Sequence, residues 1–318
     1  MEKAQYIATI KKRKGYSARQ KNGIKLFFMI LPLVVATFVF AYLPLAGWSM
    51  AFFDYKLGKP LFDSPFVGFK YFASIVGNDA MRADTLRVLR NTFAMSLLGM
   101  FSSILPPIFA IMISEIRSRT YGRLVQTLTT IPNFLSWVLV YSLAFVMFAV
   151  NGGVVNSLLM NLGIIKEPTN ILAAAENVWV TQTLFGIWKG LGWSAIIYIA
   201  AITGIDPELY EAAEVDGANR IQKIIHITAP SLIPTFSVML LMSIASMLGS
   251  DFEKIYVFNN ALNKETIETL DLYVYNRGLM GRNIPYSTAV GMLKSIVSVV
   301  LLFVANGMSK AVRGDSIL

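Results

Sequence analysis

The chain has 318 residues, of which 55% are hydrophobic and only 15% are charged, and its mean hydropathy is +0.57. A soluble domain carries about a quarter charged residues because its surface faces water, so this composition excludes an ordinary soluble domain and predicts an integral membrane protein. With no cysteine and a single histidine, His226, the chain also lacks the residues for a disulfide framework, a thiolate or histidine metal site and a catalytic thiol.

The net charge of +9 is concentrated ahead of the first apolar run. Eight of the 28 Lys and Arg residues lie within residues 1–25, and the uncharged run 26–53 follows directly. Basic residues beside an apolar run are typical of a cytoplasmic flank that contacts anionic lipids. We therefore attribute the basicity to membrane orientation and lipid contact, and we expect no nucleic-acid partner.

Six stretches are apolar enough to cross a bilayer, which requires ~20 predominantly apolar residues. The predicted spans lie at about 26–53, 91–114, 125–149, 179–203, 232–250 and 288–308. The uncharged run 124–165 is too long for one span, and we expect it to break at Asn151-Gly152-Gly153. The predicted fold class is therefore all-α, a polytopic membrane protein with about six transmembrane helices.

The Lys and Arg residues between the predicted spans indicate the orientation of the chain. With the N-terminus inside, 15 of them lie in the cytoplasmic segments 1–25, 116–124, 204–231 and 309–318. Ten lie in the outer segments 52–90, 150–178 and 258–287, which are longer in total. The higher density on the first side predicts that both termini are cytoplasmic. The chain then divides into a basic segment 1–25, a membrane domain 26–313 and a tail 314–318.

The predicted cytoplasmic loop 204–231 contains signals for two short helices. Asp206 is a candidate N-cap and Pro207 suits the first helical position, so a helix should begin there. Gly217 favours a left-handed stop, after which residues 218–227 are predicted to form a second helix. One face of the first helix carries Leu209, Ala212, Ala213 and Asp216. This small, smooth surface suits docking into a partner's groove; the structural alternative is a helix pair that shields the cytoplasmic end of the bundle.

The spacing of residues in this loop resembles the EAA loop of binding-protein-dependent ABC importer permeases. In that family the loop is a coupling helix that sits in a cleft of the ATPase subunit. The resemblance implies that the ATPase-coupling residues are Glu211, Ala212, Ala213, Asp216, Gly217, Ile227 and Pro230. Ala229 departs from the family's pattern, which usually has Leu before the proline, so packing of the second helix should be looser.

Most of the chain after residue 25 resembles a narrower group, the permeases for polysaccharide-derived oligosaccharides. The segments that carry this resemblance are 42–44, 89–92, 188–193, 273–279 and 289–291. The resemblance implies a subunit that forms half of the translocation pathway for a sugar or oligosaccharide in a bacterial cell membrane. It also implies as partners a second homologous permease, two ATPase subunits and an extracellular solute-binding lipoprotein.

Polar and aromatic residues in the predicted fourth span are candidates for the substrate path. They are Trp188, Lys189, Trp193 and Tyr198. The Lys189 amine either donates to sugar hydroxyls in the pore or extends to the outer interface or another helix, because a lysine at membrane depth costs ~2.5–3.5 kcal/mol. The aromatic rings either stack on sugar rings or form an interfacial belt.

Charged residues follow the predicted fifth span at its outer end. Asp251, Glu253 and Lys254 are expected to contact either the binding protein or the permeating sugar, or else to anchor the helix at the interface. His226 is expected to be a surface residue of the cytoplasmic loop.

The sequence contains no G-x-x-x-x-G-K-[ST] motif, since Gly58-Lys59 is followed by Pro60. The chain is therefore not expected to be an enzyme or to bind a cofactor, and ATP and Mg²⁺ should be used by a partner ATPase. The competing hypothesis is a self-sufficient channel or secondary transporter. Such transporters often show inverted repeats and paired broken helices, and this hypothesis leaves the loop 207–230 without a role.

Overall fold

The computed structural model describes residues 18–249 and 251–313, and the chain divides into two units, residues 1–50 and 51–318. Most of the predicted basic segment 1–25 and the whole predicted tail 314–318 lie outside the described residues. Within the described ranges the chain is predominantly helical, and its β structure is limited to one isolated bridge between Phe53 and Phe66. The predicted all-α class is confirmed.

The first unit contains helix α1, Ala18–Thr37. The helix continues as a π-helical segment, Phe38–Tyr42, and then as a 3₁₀ segment, Leu43–Phe52. The change of helix type occurs next to Pro44, which has no backbone N–H to donate to the α-helical ladder. The continuous apolar stretch Asn22–Phe52 has 31 residues, which is long enough to cross a bilayer.

The second unit contains fourteen α-helices among the described residues. Those of its first half are α2 Lys70–Gly77, α3 Asp79–Ser102, α4 Leu105–Ser114, α5 Arg119–Thr130, α6 Trp137–Phe148, α7 Val154–Asn161 and α8 Val178–Thr203. Those of its second half are α9 Pro207–Val215, α10 Arg220–Lys223, α11 Ala229–Ala245, α12 Phe252–Phe258, α13 Lys264–Ile267, α14 Leu270–Tyr275 and α15 Ile284–Arg313. Two 3₁₀ segments, Leu61–Asp63 and Ile131–Phe134, and two π-helical segments, Ile224–Thr228 and Asn276–Met280, join them.

Five helical stretches of the described residues are long and apolar enough to span a membrane. They are Asn22–Phe52, Asp79–Ser114, Val178–Thr203, Arg220–Ala245 and Ile284–Gly307, and each overlaps a predicted span. A sixth span arises if the bent pair Arg119–Phe134 and Trp137–Phe148 crosses as one unit.

The single helix predicted over 125–149 is wrong, because the chain bends by 104° within it. Pro132 cannot donate a backbone hydrogen bond, and a 3₁₀ turn, Ile131–Phe134, closes the first helix. Ser136 then begins α6, since its hydroxyl accepts a hydrogen bond from the Leu139 N–H at 3.3 Å. The break expected at Asn151-Gly152-Gly153 is confirmed, with Gly152 at φ +75°.

Helix α8 is the central element of the second unit and contacts α3, α4, α5 and α11. Its approach to α5 depends on Gly192, where a Cβ atom would lie 2.3 Å from the Thr129 carbonyl oxygen. Ala195 and Tyr198 of the same helix are buried together with Ala110 of α4. The close packing allows α8 to form one side of a central cavity.

A buried polar network fastens the segment from α13 to α14 onto α3. The Glu268 carboxylate is 2% exposed and receives hydrogen bonds at 2.8 Å from both Arg87 and Asn276. The Asn91 side-chain amide donates to the Glu268 carbonyl at 3.1 Å, and the Thr92 hydroxyl accepts from the Leu270 N–H at 2.9 Å. Because every one of these groups has a partner, burial of the polar atoms is offset.

Candidate coupling loop and central cavity

The first helix of the loop begins and ends where the sequence predicts. The Asp206 carboxylate accepts a hydrogen bond from the Glu208 N–H at 3.0 Å, which caps α9. Gly217 has φ +79°, a left-handed conformation that favours glycine. The Ala218 N–H then donates to the Ala213 carbonyl at 2.8 Å and closes the C-terminal turn.

The second helix of the loop begins at Arg220, two residues later than predicted. Asn219 and Gln222 form a reciprocal capping box, with hydrogen bonds of 2.9 Å and 2.7 Å between each side chain and the other residue's N–H. Helix α10 continues through the π-helical segment Ile224–Thr228 into α11. The Asn-x-x-Gln spacing is the signal in the sequence that locates this start.

Two side-chain contacts hold the halves of the loop together. The Tyr210 hydroxyl lies 2.8 Å from the Thr228 hydroxyl, and Lys223 forms an ion pair with Glu214. The hydrogen bond from Lys223 is the main reason that the pKa of the Glu214 carboxyl is below its usual value. The second half of the loop is therefore linked to α9 at two points, the middle of the helix and its last turn.

A further ion pair joins the loop to the membrane helices. The Arg220 guanidinium contacts both the carboxylate and the backbone carbonyl of Glu115, the residue that follows α4. The loop is therefore in direct contact with the C-terminal end of α4.

Four of the seven predicted coupling residues surround one small depression of about 270 Å³, namely Ala213, Asp216, Gly217 and Ile227. His226 also lines this depression and is exposed, as predicted for a surface residue. The other three lie outside it: Glu211 and Ala212 are exposed on α9, and Pro230 is exposed in the first turn of α11. The loop thus presents a small-residue surface to solvent, and its contact with an ATPase stays a prediction.

A central cavity with a volume of about 740 Å³ lies among α3, α4, α8, α11 and α12. Two of the four predicted substrate-path residues, Trp193 and Tyr198, line it. Trp193 is half exposed, so these helices alone do not close the cavity. Besides Tyr198, the residues with hydroxyl or amide groups on its wall are Ser102, Ser103, Gln182, Thr183, Ser194, Ser243 and Ser246.

Lys254 is the one charged residue among those lining this cavity in the described ranges. Its amine lies 5.5 Å from the centre of the Trp137 ring and within 3.7 Å of a Cβ atom built on Gly186. Burial lowers the pKa of the Lys254 amino group, and the negative charge of Asp251 acts in the opposite direction. Helix α12, which carries Lys254, lies outside the five helices that are long enough to span.

The other two substrate-path candidates do not line the central cavity. The Lys189 amine donates a hydrogen bond to the Asn133 carbonyl at 2.8 Å and lies 5.3 Å from the centre of the Trp137 ring. This geometry is that of a lysine paired with another helical segment, here the bend between α5 and α6. Trp188 lines a separate apolar groove of about 470 Å³ between α6 and α8.

The candidate residues for the binding-protein side lie at the start of α12, where Asp251 and Glu253 are exposed. Helix α12 is held by packing of Phe258 against Tyr141, with ring centroids 5.1 Å apart. The two carboxylates are therefore presented on a fixed element, and their contact with a binding protein stays a prediction. Gln182, a cavity residue that the sequence did not single out, lies between Thr181 and Thr183, and no spacing signal distinguishes it.

Comparison with known proteins places these features in a family. The model of the family described as "Binding-protein-dependent transport system inner membrane component" matches residues 95–314. The chain is 36% identical to the protein LplB of Bacillus subtilis over 305 residues, which cover 96% of this chain and 94% of the relative. It is 39% identical over 288 residues, 90% of this chain and 87% of the relative, to the polygalacturonan/rhamnogalacturonan transport system permease protein YteP of the same organism.

Solved structures of similar architecture include a bacterial ABC transporter involved in the import of the acidic polysaccharide alginate. A chain of that structure matches with a TM-score of 0.83 and 32% identity, covering 92% of this chain and 97% of the other. A second structure, of a bacterial alginate ABC transporter in complex with an alginate pentasaccharide-bound periplasmic protein, matches with the same TM-score and identity over 93% and 98% of the two chains. The predicted type I importer permease fold is confirmed by these matches.

Proposed function

The chain belongs to the family of binding-protein-dependent transport system inner membrane components, and on that premise we propose that it forms half of the translocation pathway of an ATP-driven importer for polysaccharide-derived oligosaccharides. The observation that carries this proposal is the match, over 92% of the chain, to a chain of the ABC transporter involved in the import of the acidic polysaccharide alginate. The central cavity, lined by hydroxyl groups and two aromatic residues, supports it, because these groups suit sugar hydroxyls and ring faces.

The loop between α8 and α11 is the proposed coupling element that docks to the ATPase. Its exposed small-residue surface and the Arg220–Glu115 contact to α4 support this role, because both are needed to receive a movement and pass it to the cavity wall. The proposed coupling residues are Glu211, Ala212, Ala213, Asp216, Gly217, Ile227 and Pro230.

The proposed assembly contains a second homologous permease, two ATPase subunits that use ATP and Mg²⁺, and an extracellular solute-binding lipoprotein. The structure of the alginate transporter with its sugar-bound periplasmic protein supports the last of these partners. We place the chain in a bacterial cell membrane with both termini cytoplasmic, and we assign no cofactor or enzymatic activity to it. Family membership favours this assignment over a self-sufficient channel or secondary transporter.

The test is transport by the complete complex reconstituted in vesicles with its binding protein. We expect uptake of labelled oligosaccharide that requires both ATP and the binding protein. Vesicles containing this chain without the ATPase serve as the control and should not take up the sugar. Uptake by this chain alone, independent of ATP, would instead support the channel hypothesis.

A further inference from the structure

The wall of the central cavity is positively charged. Among the described residues that line it, Lys254 carries the one charge, and the remaining side chains are apolar, hydroxyl or amide groups. No carboxylate of the described residues forms an ion pair with Lys254 within 4.0 Å. Asp251 acts on this amine only from beyond ion-pair distance, and an ammonium group withdrawn from water without a close carboxylate partner is costly, so a function that uses the charge explains its position.

A second polar group on the same wall lacks a partner. Gln182 is 3% exposed, and its side-chain oxygen has no hydrogen-bond partner among the described residues. Buried polar atoms are nearly always hydrogen-bonded, so this oxygen is suited to a ligand that is absent from the free protein. Its environment is independent of that of Lys254, because the two side chains belong to different helices.

These two groups lie close together. Gln182 and Gly186 are four residues apart on α8 and therefore occupy the same face, about 5–6 Å from each other. The Lys254 amine lies against Gly186, within 3.7 Å of a Cβ atom built there. The cavity is thus lined by an amine at Gly186 and, one helical turn away at position 182, by a side chain with an unpaired amide oxygen. Its volume of about 740 Å³ is typical of small-molecule sites.

We propose that Lys254 and Gln182 form a subsite for a carboxylate-bearing sugar, so that the translocated substrate is an acidic oligosaccharide. This inference rests on the proposed function. The Lys254 amine donates to the sugar carboxylate, and the Gln182 oxygen accepts a hydrogen bond from a sugar hydroxyl. One ammonium group balances the single charge of a carboxylate, whereas a phosphate group carries about 1.5 to 2 charges and would leave charge uncompensated in this cavity.

The experiment compares two sugars of equal length, trigalacturonate and its carboxyl-reduced neutral counterpart. Calorimetric titration of the purified permease–ATPase complex, without the binding protein, measures the affinity of the permease itself. We expect wild type to prefer the acidic trisaccharide by about tenfold or more, which corresponds to one charge-assisted hydrogen bond. Lys254→Met should abolish the preference, and Lys254→Arg should retain it.

Two further variants separate charge recognition from structural effects. Lys189 also places its amine over the Trp137 ring, but this residue does not line the cavity. Lys189→Met should therefore keep the preference for the acidic sugar. Gln182→Leu should weaken binding of both sugars equally, because the amide binds a hydroxyl that both contain.

The proposal is overturned if the wild-type complex binds the two sugars with equal affinity. This comparison needs only the wild-type protein, so it does not depend on whether a variant folds. It is also overturned if Lys254→Met keeps the wild-type preference. ATP-dependent uptake of neutral oligosaccharides alone would refute the acidic subsite and leave the proposed function intact. Absence of ATP-dependent uptake of either sugar would refute the proposed function itself.

Discussion

Gly190 and Gly192 lie two residues apart on α8 and have very different surroundings. At Gly192 a Cβ atom would lie 2.3 Å from the Thr129 carbonyl oxygen, whereas at Gly190 no heavy atom lies within 4 Å of such a Cβ. The obstruction at Gly192 is backbone, which cannot rotate away as a side chain can. Glycine at 192 is therefore required by the packing of α8 on α5.

We predict that Gly192→Ala destabilises the protein and that Gly190→Ala does not. Overpacking costs about 1–3 kcal/mol, and more where backbone must move, so Gly192→Ala should lower the unfolding midpoint by several degrees. Gly190→Ala adds helix propensity worth about 0.5–1 kcal/mol and should raise or preserve the midpoint. Thermal unfolding of the two detergent-solubilised variants measures this difference. Equal midpoints would mean that α5 and α8 are not in close contact.

The sequence contains the Gly-x-Gly pair but does not distinguish its members. Which glycine contacts α5 depends on the rotation of α8 and on the bend after Thr130, and both follow from tertiary packing. The same limit applies to Lys189 and Trp193, which are four residues apart and were predicted together. Lys189 pairs with the Asn133 carbonyl, while Trp193 lines the cavity.

At the scale of elements, the start and the end of α9 were predictable because local residues determine them. Asp206, Pro207 and Gly217 act through their own backbone and cap interactions, and the structure agrees at each. The bend at Ser136 was missed because no charged residue marks it within the run 124–165. Pro132 and Ser136 were the available signals, and a continuous uncharged run concealed them.

We predict that Gly217→Trp lowers both transport and substrate-stimulated ATP hydrolysis. The left-handed backbone costs a non-glycine residue about 1–2 kcal/mol, but no atom of this chain lies within 4 Å of a Cβ at this position. A larger loss therefore arises from contact with a partner. We expect uptake and substrate-stimulated ATP hydrolysis to fall together in reconstituted complexes, with no change in binding of sugar to the separate binding protein.

The matched control for this variant is Gly163→Trp. Gly163 has φ +69°, close to the +79° of Gly217, and is also unobstructed within 4 Å. It follows α7, in a segment that the sequence places on the opposite side of the membrane. The two variants therefore carry similar backbone strain, but only Gly217→Trp changes the proposed docking surface for the ATPase. If both tryptophan variants lose coupling equally, strain explains the effect and the loop is a structural cap.

A charge reversal at Glu211 tests the same proposed contact with the ATPase without altering the backbone. Glu211 is exposed on α9, and the family resemblance places its carboxylate in the ATPase cleft. We expect Glu211→Lys to reduce uptake and ATPase stimulation severalfold while α9 stays folded, which circular dichroism and assembly of the complex would check. Glu167→Lys, an equal charge reversal at an exposed site after α7, should leave both activities at wild-type level. Wild-type stimulation in Glu211→Lys would remove this residue from the proposed coupling set.

At the scale of the whole molecule, composition and span lengths were sufficient to predict the fold class. A long apolar run indicates a helix that is surrounded by lipid rather than by water. Five of the six predicted spans accordingly correspond to continuous helical stretches. The cavity was not predictable, because it is formed by side chains from α3, α8, α11 and α12 that are distant in sequence. Gln182 shows this most clearly: its unpartnered oxygen is a property of the assembled wall.

The last prediction concerns the assembly, because the central cavity is incomplete in one chain. Trp193 and Met242 line it and are 50% and 63% exposed, and several hydroxyl groups share the same wall. The charged side chain of Lys254 also lines this cavity, and a charge that faces hydrocarbon is costly, so a second protein should cover this opening. We expect the chain to purify as a heteromer with a homologous permease and two ATPases when these are co-expressed, and to aggregate or remain inactive when expressed alone. Native mass spectrometry from lipid nanodiscs measures the composition, and vesicle uptake by the same preparation measures activity. A stable, transport-competent monomer without an ATPase would contradict both the shared cavity and the assigned importer architecture.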